Sequence, residues 1–185
     1  LSILVTGGTG FIGSHTTVEL QNAGYDVVIV DNLSNSRADV IDGIEKITGI
    51  RPAFEQVDLR DFDATEAVFK KYPQISGIIH FAASKAVGES VEKPLLYYRN
   101  NIVSLINLLE LMPKYDVKGI IFSSSCTVYG QPDQLPATEE TPIKKAESPY
   151  GNTKQINEEI IQDTVASGSP IKAILLRYFN PIGSH

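Results

Sequence analysis

Thr6-Gly7-Gly8-Thr9-Gly10-Phe11-Ile12-Gly13 joins a short apolar run, 2–5, to a stretch of helical period, 11–23. The octad satisfies G-x-G-x-x-G through Gly8, Gly10 and Gly13, and G-x-x-G-x-x-G through Gly7, Gly10 and Gly13. Glycines permit a tight turn and let backbone N–H groups approach an anion at the positive end of a helix. In a chain with 14 glycines the pattern alone is weak. Context strengthens it, because the second apolar run ends at Asp31, 18 residues after Gly13. A carboxylate there can accept hydrogen bonds from ribose hydroxyls and repels a 2′-phosphate, so a dinucleotide site preferring NAD to NADP is expected.

Working outward, six runs rich in Ile and Val read as buried strands: 2–5, 26–30, 53–57, 77–80, 119–122 and 172–176. Helix-period segments separate them at 11–23, 38–48, 63–71, 101–112 and 148–167. Gly24, Gly49 and Gly168 stand where a left-handed helix cap is needed, and Ser148-Pro149 supplies an N-cap and first helical residue. Strict alternation implies parallel strands with right-handed crossovers. The expected fold is α/β, a doubly wound parallel sheet of Rossmann type with helices on both faces, forming one domain over 1–185. The 101–112 helix carries a wide apolar stripe, which suits core or a subunit interface. Residues 131–147 hold three prolines and no clear period, and so long a loop is often a lid.

Sixteen basic against 22 acidic residues give a net charge of −6, which argues against a nucleic-acid footprint. The single cysteine, Cys126, excludes an internal disulfide framework, fits a reducing compartment and reads as a small packing residue. No apolar run approaches the roughly 20 residues that span a bilayer, and no signal peptide precedes the first strand. These features lead to an expectation of a cytoplasmic protein without a membrane partner. His15, His80 and His185 lack metal-ligand spacing, so no metal site is expected.

Tyr150 and Lys154 stand four residues apart at the start of the last helix, on one face. Tyrosine, with an ordinary pKa near 10, is a poor base at neutral pH. An ammonium ~4 Å away favours the phenolate by ~4 kcal/mol at an effective dielectric of ~20, before desolvation losses. Such pairs are common in helices. Ser123-Ser124-Ser125-Cys126-Thr127-Val128-Tyr129-Gly130, at the end of the fifth strand, adds hydroxyls at the ligand edge that can hold an oxygen undergoing proton transfer.

The glycine turn, Asp31 and the Ser125/Tyr150/Lys154 set together resemble the extended short-chain dehydrogenase/reductase family. Within it, Asp31-Asn32-Leu33-Ser34-Asn35-Ser36, His80-Phe81-Ala82-Ala83, Ser148-Pro149-Tyr150-Gly151 and Arg177-Tyr178-Phe179-Asn180-Pro181 look like the UDP-hexose 4-epimerases. The resemblance implies that Gly7, Gly10, Phe11, Ile12 and Gly13 cradle the pyrophosphate of NAD. It places Asp31, Asn32, Asn35 and Ser36 at the adenosine ribose, with Asp58 and Leu59 at the adenine. Phe81, Ala82, Lys85, Asn100 and Tyr178 line the rest of the cofactor, and Lys154 holds the nicotinamide ribose. Lys85, Ser125, Thr127, Tyr150, Tyr178, Phe179 and Asn180 would meet the UDP-sugar. The implied reaction turns UDP-galactose into UDP-glucose: Tyr150 takes the 4-hydroxyl proton, NAD takes hydride, the 4-keto sugar turns over, and hydride returns to the other face.

In that family the chain beyond the asparagine–proline pair supplies most of the sugar pocket. This chain is therefore expected to be the cofactor domain of a longer enzyme whose substrate domain lies beyond His185, binding NAD weakly or moderately with little turnover alone. A homodimer through the 101–112 helix is also implied. A 4,6-dehydratase typically has an Asp-Glu pair after its threonine, whereas Val128-Tyr129 follows Thr127 here. Epimerases of N-acetylated or uronate sugars, and an NAD-binding fragment without catalysis, are the other readings.

Overall fold

In the computed structural model, which describes residues 1–183, β1 (Ser2–Thr6) pairs in parallel with β2 (Asp26–Asp31) on one side and β4 (Ile75–His80) on the other. β3 (Ala53–Gln56) extends the first side, and β5 (Gly119–Ser125) and β6 (Lys172–Tyr178) extend the second. The order β3-β2-β1-β4-β5-β6 reverses direction between β1 and β4, and at such a reversal the carboxyl ends of the strands open a crevice. The expected doubly wound α/β sheet is what forms. His185 lies outside the described residues.

Alternation of side chains along the strands sends two sets of residues to opposite faces. Leu4, Val28, Val30, Ile78, Ile120 and Phe122 form one core with α3 (Phe62–Lys71), α5 (Pro94–Lys114) and α6 (Pro149–Ala166). Val5, Val27 and Ile29 form the other with Val18 of α1 (Phe11–Asn22) and Ile41 and Ile44 of α2 (Val40–Thr48). Helices therefore flank both faces, but α1 and α2 cover only the β1–β3 half of theirs. Ile174, in register with Ile121, is 56% exposed on the uncovered half.

Most helix ends follow the local chemistry. The Ser148 hydroxyl accepts the Gly151 N–H at 3.1 Å ahead of Pro149, and the Asp61 carboxylate accepts the Ala64 N–H at 3.0 Å. Gly49 takes the left-handed conformation at φ 75°. Two departures from expectation lie between β4 and β5. A short helix, α4 (Val87–Glu92), falls in a stretch without a helical apolar period, and α5 begins seven residues before the expected 101. Pro94, which reads as a break, occupies the first position of α5, where its missing N–H has no helical partner to lose. The wide stripe of α5 belongs to the chain's own core: Leu105, Leu108, Leu111 and Met112 are fully buried.

Candidate active site

The crevice at the β1/β4 reversal widens into a cavity of about 800 Å³ whose wall includes every residue expected at the cofactor and sugar. Gly7, with φ 68°, sits so close to the next strand end that an added Cβ would lie 2.7 Å from the Ala82 nitrogen. A Cβ on Gly13 would strike the Gly7 carbonyl, so these two glycines let α1 pack against β1 and β4. Gly10 precedes α1, no side chain caps that helix, and a Cβ there would meet only the Gly7 carbonyl, at 3.1 Å. The first-turn N–H groups of α1 thus begin at a wall of bare backbone, which fits a pyrophosphate.

At the far end of the cavity, Asp31 is already engaged. One oxygen accepts the Leu33 N–H at 2.9 Å and the Ser36 hydroxyl at 3.0 Å, while the other accepts the Thr9 N–H at 3.3 Å. Thr9 also donates its hydroxyl to Ser36 at 2.8 Å, tying the glycine turn to the loop after β2. The carboxylate is fixed in place, and the oxygen that accepts the Thr9 N–H keeps a lone pair for a further donor. Asp58 is held by the Arg60 guanidinium and by Asn32 at 3.5 Å, and Arg60 keeps its carboxyl below the usual carboxylate range. Asn35 and Leu59 complete this end, and Phe81, Ala82, Lys85 and Asn100 line the middle. The Asn100 amide donates to the Ser84 hydroxyl at 3.0 Å.

The Ser/Tyr/Lys set meets at the other end. Ser125 closes β5, and its hydroxyl accepts the Thr127 N–H at 3.2 Å, starting a 3₁₀ turn over Cys126–Tyr129. Tyr150 and Lys154 come from the first turns of α6, and Tyr178, Phe179 and Asn180 from the end of β6. The Thr127 hydroxyl is buried without a partner. Lys154, 3% exposed, donates to the Ser123 carbonyl at 2.7 Å, leaving two of its three donors for the cavity. Burial lowers it to about 8, opposed by Glu158.

One expectation is corrected here. Lys154 does not draw the Tyr150 phenol down in this structure: its ammonium lies 5.9 Å from the ring centre. Burial raises the phenol above its ordinary value, and Ser125 is the neighbour that lowers it. The lid expectation also fails for this cavity, since residues 131–147 contribute nothing to its wall. Instead Ala137, Thr138 and Glu139 face Leu176 and Phe179 across a smaller cavity of about 460 Å³. Cys126 is half-buried and lines the main cavity.

Three features escaped the sequence reading. Thr9 carries no sequence signal beyond its place inside the glycine turn. His80, fully buried, bonds Thr6 Oγ1 through Nδ1 at 2.7 Å, and burial pushes it down to about 3. Glu158 is paired with Arg177, and its spacing of four from Lys154 was the available signal. Among the described residues no group of three or more His, Cys, Asp and Glu could hold a metal ion, and no helix is long and apolar enough to cross a membrane.

Known proteins resemble this chain along its whole length. UDP-glucose 4-epimerase 2 of Arabidopsis thaliana is 54% identical over all of this chain, which covers 53% of that protein. The UDP-glucose 4-epimerase of Bacillus subtilis is 50% identical, again over all of this chain and 54% of its own length. The chain thus spans about half the length of the curated relatives it matches. The crystal structure of the Bifidobacterium longum UDP-glucose 4-epimerase in complex with NAD+ and UDP superposes with a TM-score of 0.97 at 49% identity, covering 100% of this chain and 55% of that one. Residues 3–185 match the NAD dependent epimerase/dehydratase family, and the chain belongs to it.

Proposed function

We propose that this chain is the cofactor-binding part of an NAD-dependent UDP-glucose 4-epimerase, acting in galactose metabolism in the cytoplasm. The observation that carries the proposal is the convergence of the bare α1 start, Asp31 and Ser125/Tyr150/Lys154 on one cavity. The fit to the dinucleotide rests on the backbone wall at Gly7, Gly10 and Gly13 and on the fixed Asp31 carboxylate. Phe11 and Ile12 would carry the pyrophosphate with them, and Lys154 has donors free for a ribose. Bound NAD would supply a reversible hydride acceptor for the sugar C4 and a positive ring.

Tyr150 is the proposed base. It takes the sugar 4-hydroxyl proton and gives it back to the same oxygen, while the hydride that bound NAD would hold would return to the other face of C4, so no net oxidation would result. Ser125 steadies the same oxygen, and its hydrogen bond already favours the phenolate. Thr127, Lys85, Phe179 and Asn180 would line the sugar, and the buried, partnerless Thr127 hydroxyl suits such a contact. The 4,6-dehydratase reading lacks its acid, because Val128-Tyr129 follows Thr127.

Within the longer protein, a substrate domain would complete the sugar pocket. A homodimer would use what α4 and α5 leave exposed, such as Val91, Leu95 and Ile106, since the buried stripe of α5 serves its own core. In the protein carrying this chain, Tyr150→Phe should abolish epimerase turnover while NAD binding survives. Retained turnover would exclude Tyr150 as the base.

A further inference from the structure

Behind the wall of the cavity, an ion pair with a buried carboxylate and a half-buried guanidinium joins three elements that each deliver a site residue. Glu158, on α6 and 2% exposed, accepts the Ser124 hydroxyl of β5 at 2.5 Å. The same carboxylate accepts two bonds from the Arg177 guanidinium of β6, from Nε at 3.0 Å and from Nη2 at 2.7 Å. Arg177 also donates to the Tyr129 hydroxyl at 3.2 Å, its guanidinium lying 5.0 Å from that ring centre, which pins the 3₁₀ turn. Ser124 and Arg177 are register partners in the sheet, and the next pair is Ser125 with Tyr178. Each member of the clamp thus stands beside a site residue: Ser124 by Ser125, Arg177 by Tyr178, and Glu158 one helical turn from Lys154.

A charged pair at this depth is an expensive way to hold a helix on a sheet, because apolar residues of similar volume often stabilise at least as well. What it adds is direction. A bidentate guanidinium–carboxylate contact fixes both distance and orientation, which a greasy contact does not. We propose that Glu158 is a positioning residue, held by Ser124 and Arg177 so that α6 presents Lys154 and Tyr150 in register with Ser125 and Tyr178. The proposal rests on the epimerase reading for what those residues do, but the geometric claim is separate from it.

The test compares the chain with Glu158→Gln, Arg177→Lys and the double variant Glu158→Leu/Arg177→Met. Three quantities are read: melting temperature, NAD+ affinity by calorimetry, and acetylation of Lys154 by an N-hydroxysuccinimide ester relative to exposed Lys46. In the parent, Lys154 should label slowly. A positioning role predicts that the double variant melts near the parent temperature, yet labels Lys154 about tenfold faster and binds NAD+ about tenfold more weakly. Arg177→Lys, which keeps the charge and loses the fork, should fall between. Parent-like labelling and affinity in the double variant, or parent-like labelling in Arg177→Lys should the double variant not fold, would overturn the proposal. A parent that labels slowly but does not bind NAD+ would count against the cofactor reading and leave the clamp to be decided by labelling alone.

Discussion

Lys154 and Tyr150 stand one turn apart on α6, yet the ammonium donates to the Ser123 carbonyl at 2.7 Å and lies 5.9 Å from the phenol ring centre. The lysine is therefore anchored to β5, and burial has weakened its hold on its proton. The phenol is raised by its own burial and eased only by Ser125. In this state the pair is placed for proton chemistry but not charged for it. On the proposed function, the positive ring of bound NAD would add to the bias toward phenolate.

The Lys154 environment makes a prediction about stability. The folded state holds this proton more weakly than the unfolded chain, so the penalty is complete below pH about 8 and is relieved as pH rises from there toward 10.5. Against Lys154→Met, the parent should gain about 2–3 kcal/mol between pH 7 and pH 10, measured by urea unfolding. A gap between the two that does not change with pH would contradict the burial account.

His80 predicts the opposite limb. Buried and neutral against Thr6, it is pushed from 6.5 down to about 3, so the unfolded chain binds the proton first. Stability from this group is whole above pH about 6.5 and is lost progressively as pH falls toward 3. By pH 4 the parent should lose about 3 kcal/mol that His80→Asn does not lose. Equal acid sensitivity of the two proteins would show that the imidazole is not held neutral.

Glycine substitutions should separate the cradle from ordinary helix. Gly13→Ala pushes a Cβ into the Gly7 carbonyl and should cost about 1–3 kcal/mol while abolishing saturable NAD+ binding. Gly43, inside α2, has nothing within 4 Å of an added Cβ. Gly43→Ala should raise stability by about 0.5–1 kcal/mol and leave NAD+ affinity alone. Thermal melts and calorimetry on both variants would check the contrast, and a harmless Gly13→Ala would refute the close-approach argument.

Much of this was legible in the residues. Alternating Ile/Val runs and glycine caps outlined the sheet and most helices, because both signals are local. The α4 helix was not legible: it is one short piece without an apolar period, held by contacts such as the Tyr97 hydroxyl on Glu89 at 2.9 Å. Pro94 was ambiguous for a physical reason, since proline breaks a helix interior but suits its first position. In the site, residue types predicted which side chains would gather. They did not predict that Lys154 would turn to Ser123, nor that Glu158 would find Arg177, because both depend on how α6 packs across β5 and β6.

The most direct test of the central claim is a calorimetric titration of the chain with NAD+ and then NADP+. The bare-backbone cradle and the fixed Asp31 carboxylate predict saturable NAD+ binding, with NADP+ weaker by at least about tenfold through repulsion of its 2′-phosphate. Binding of the two with equal strength, or of neither, would contradict the assignment of this cavity as an NAD site.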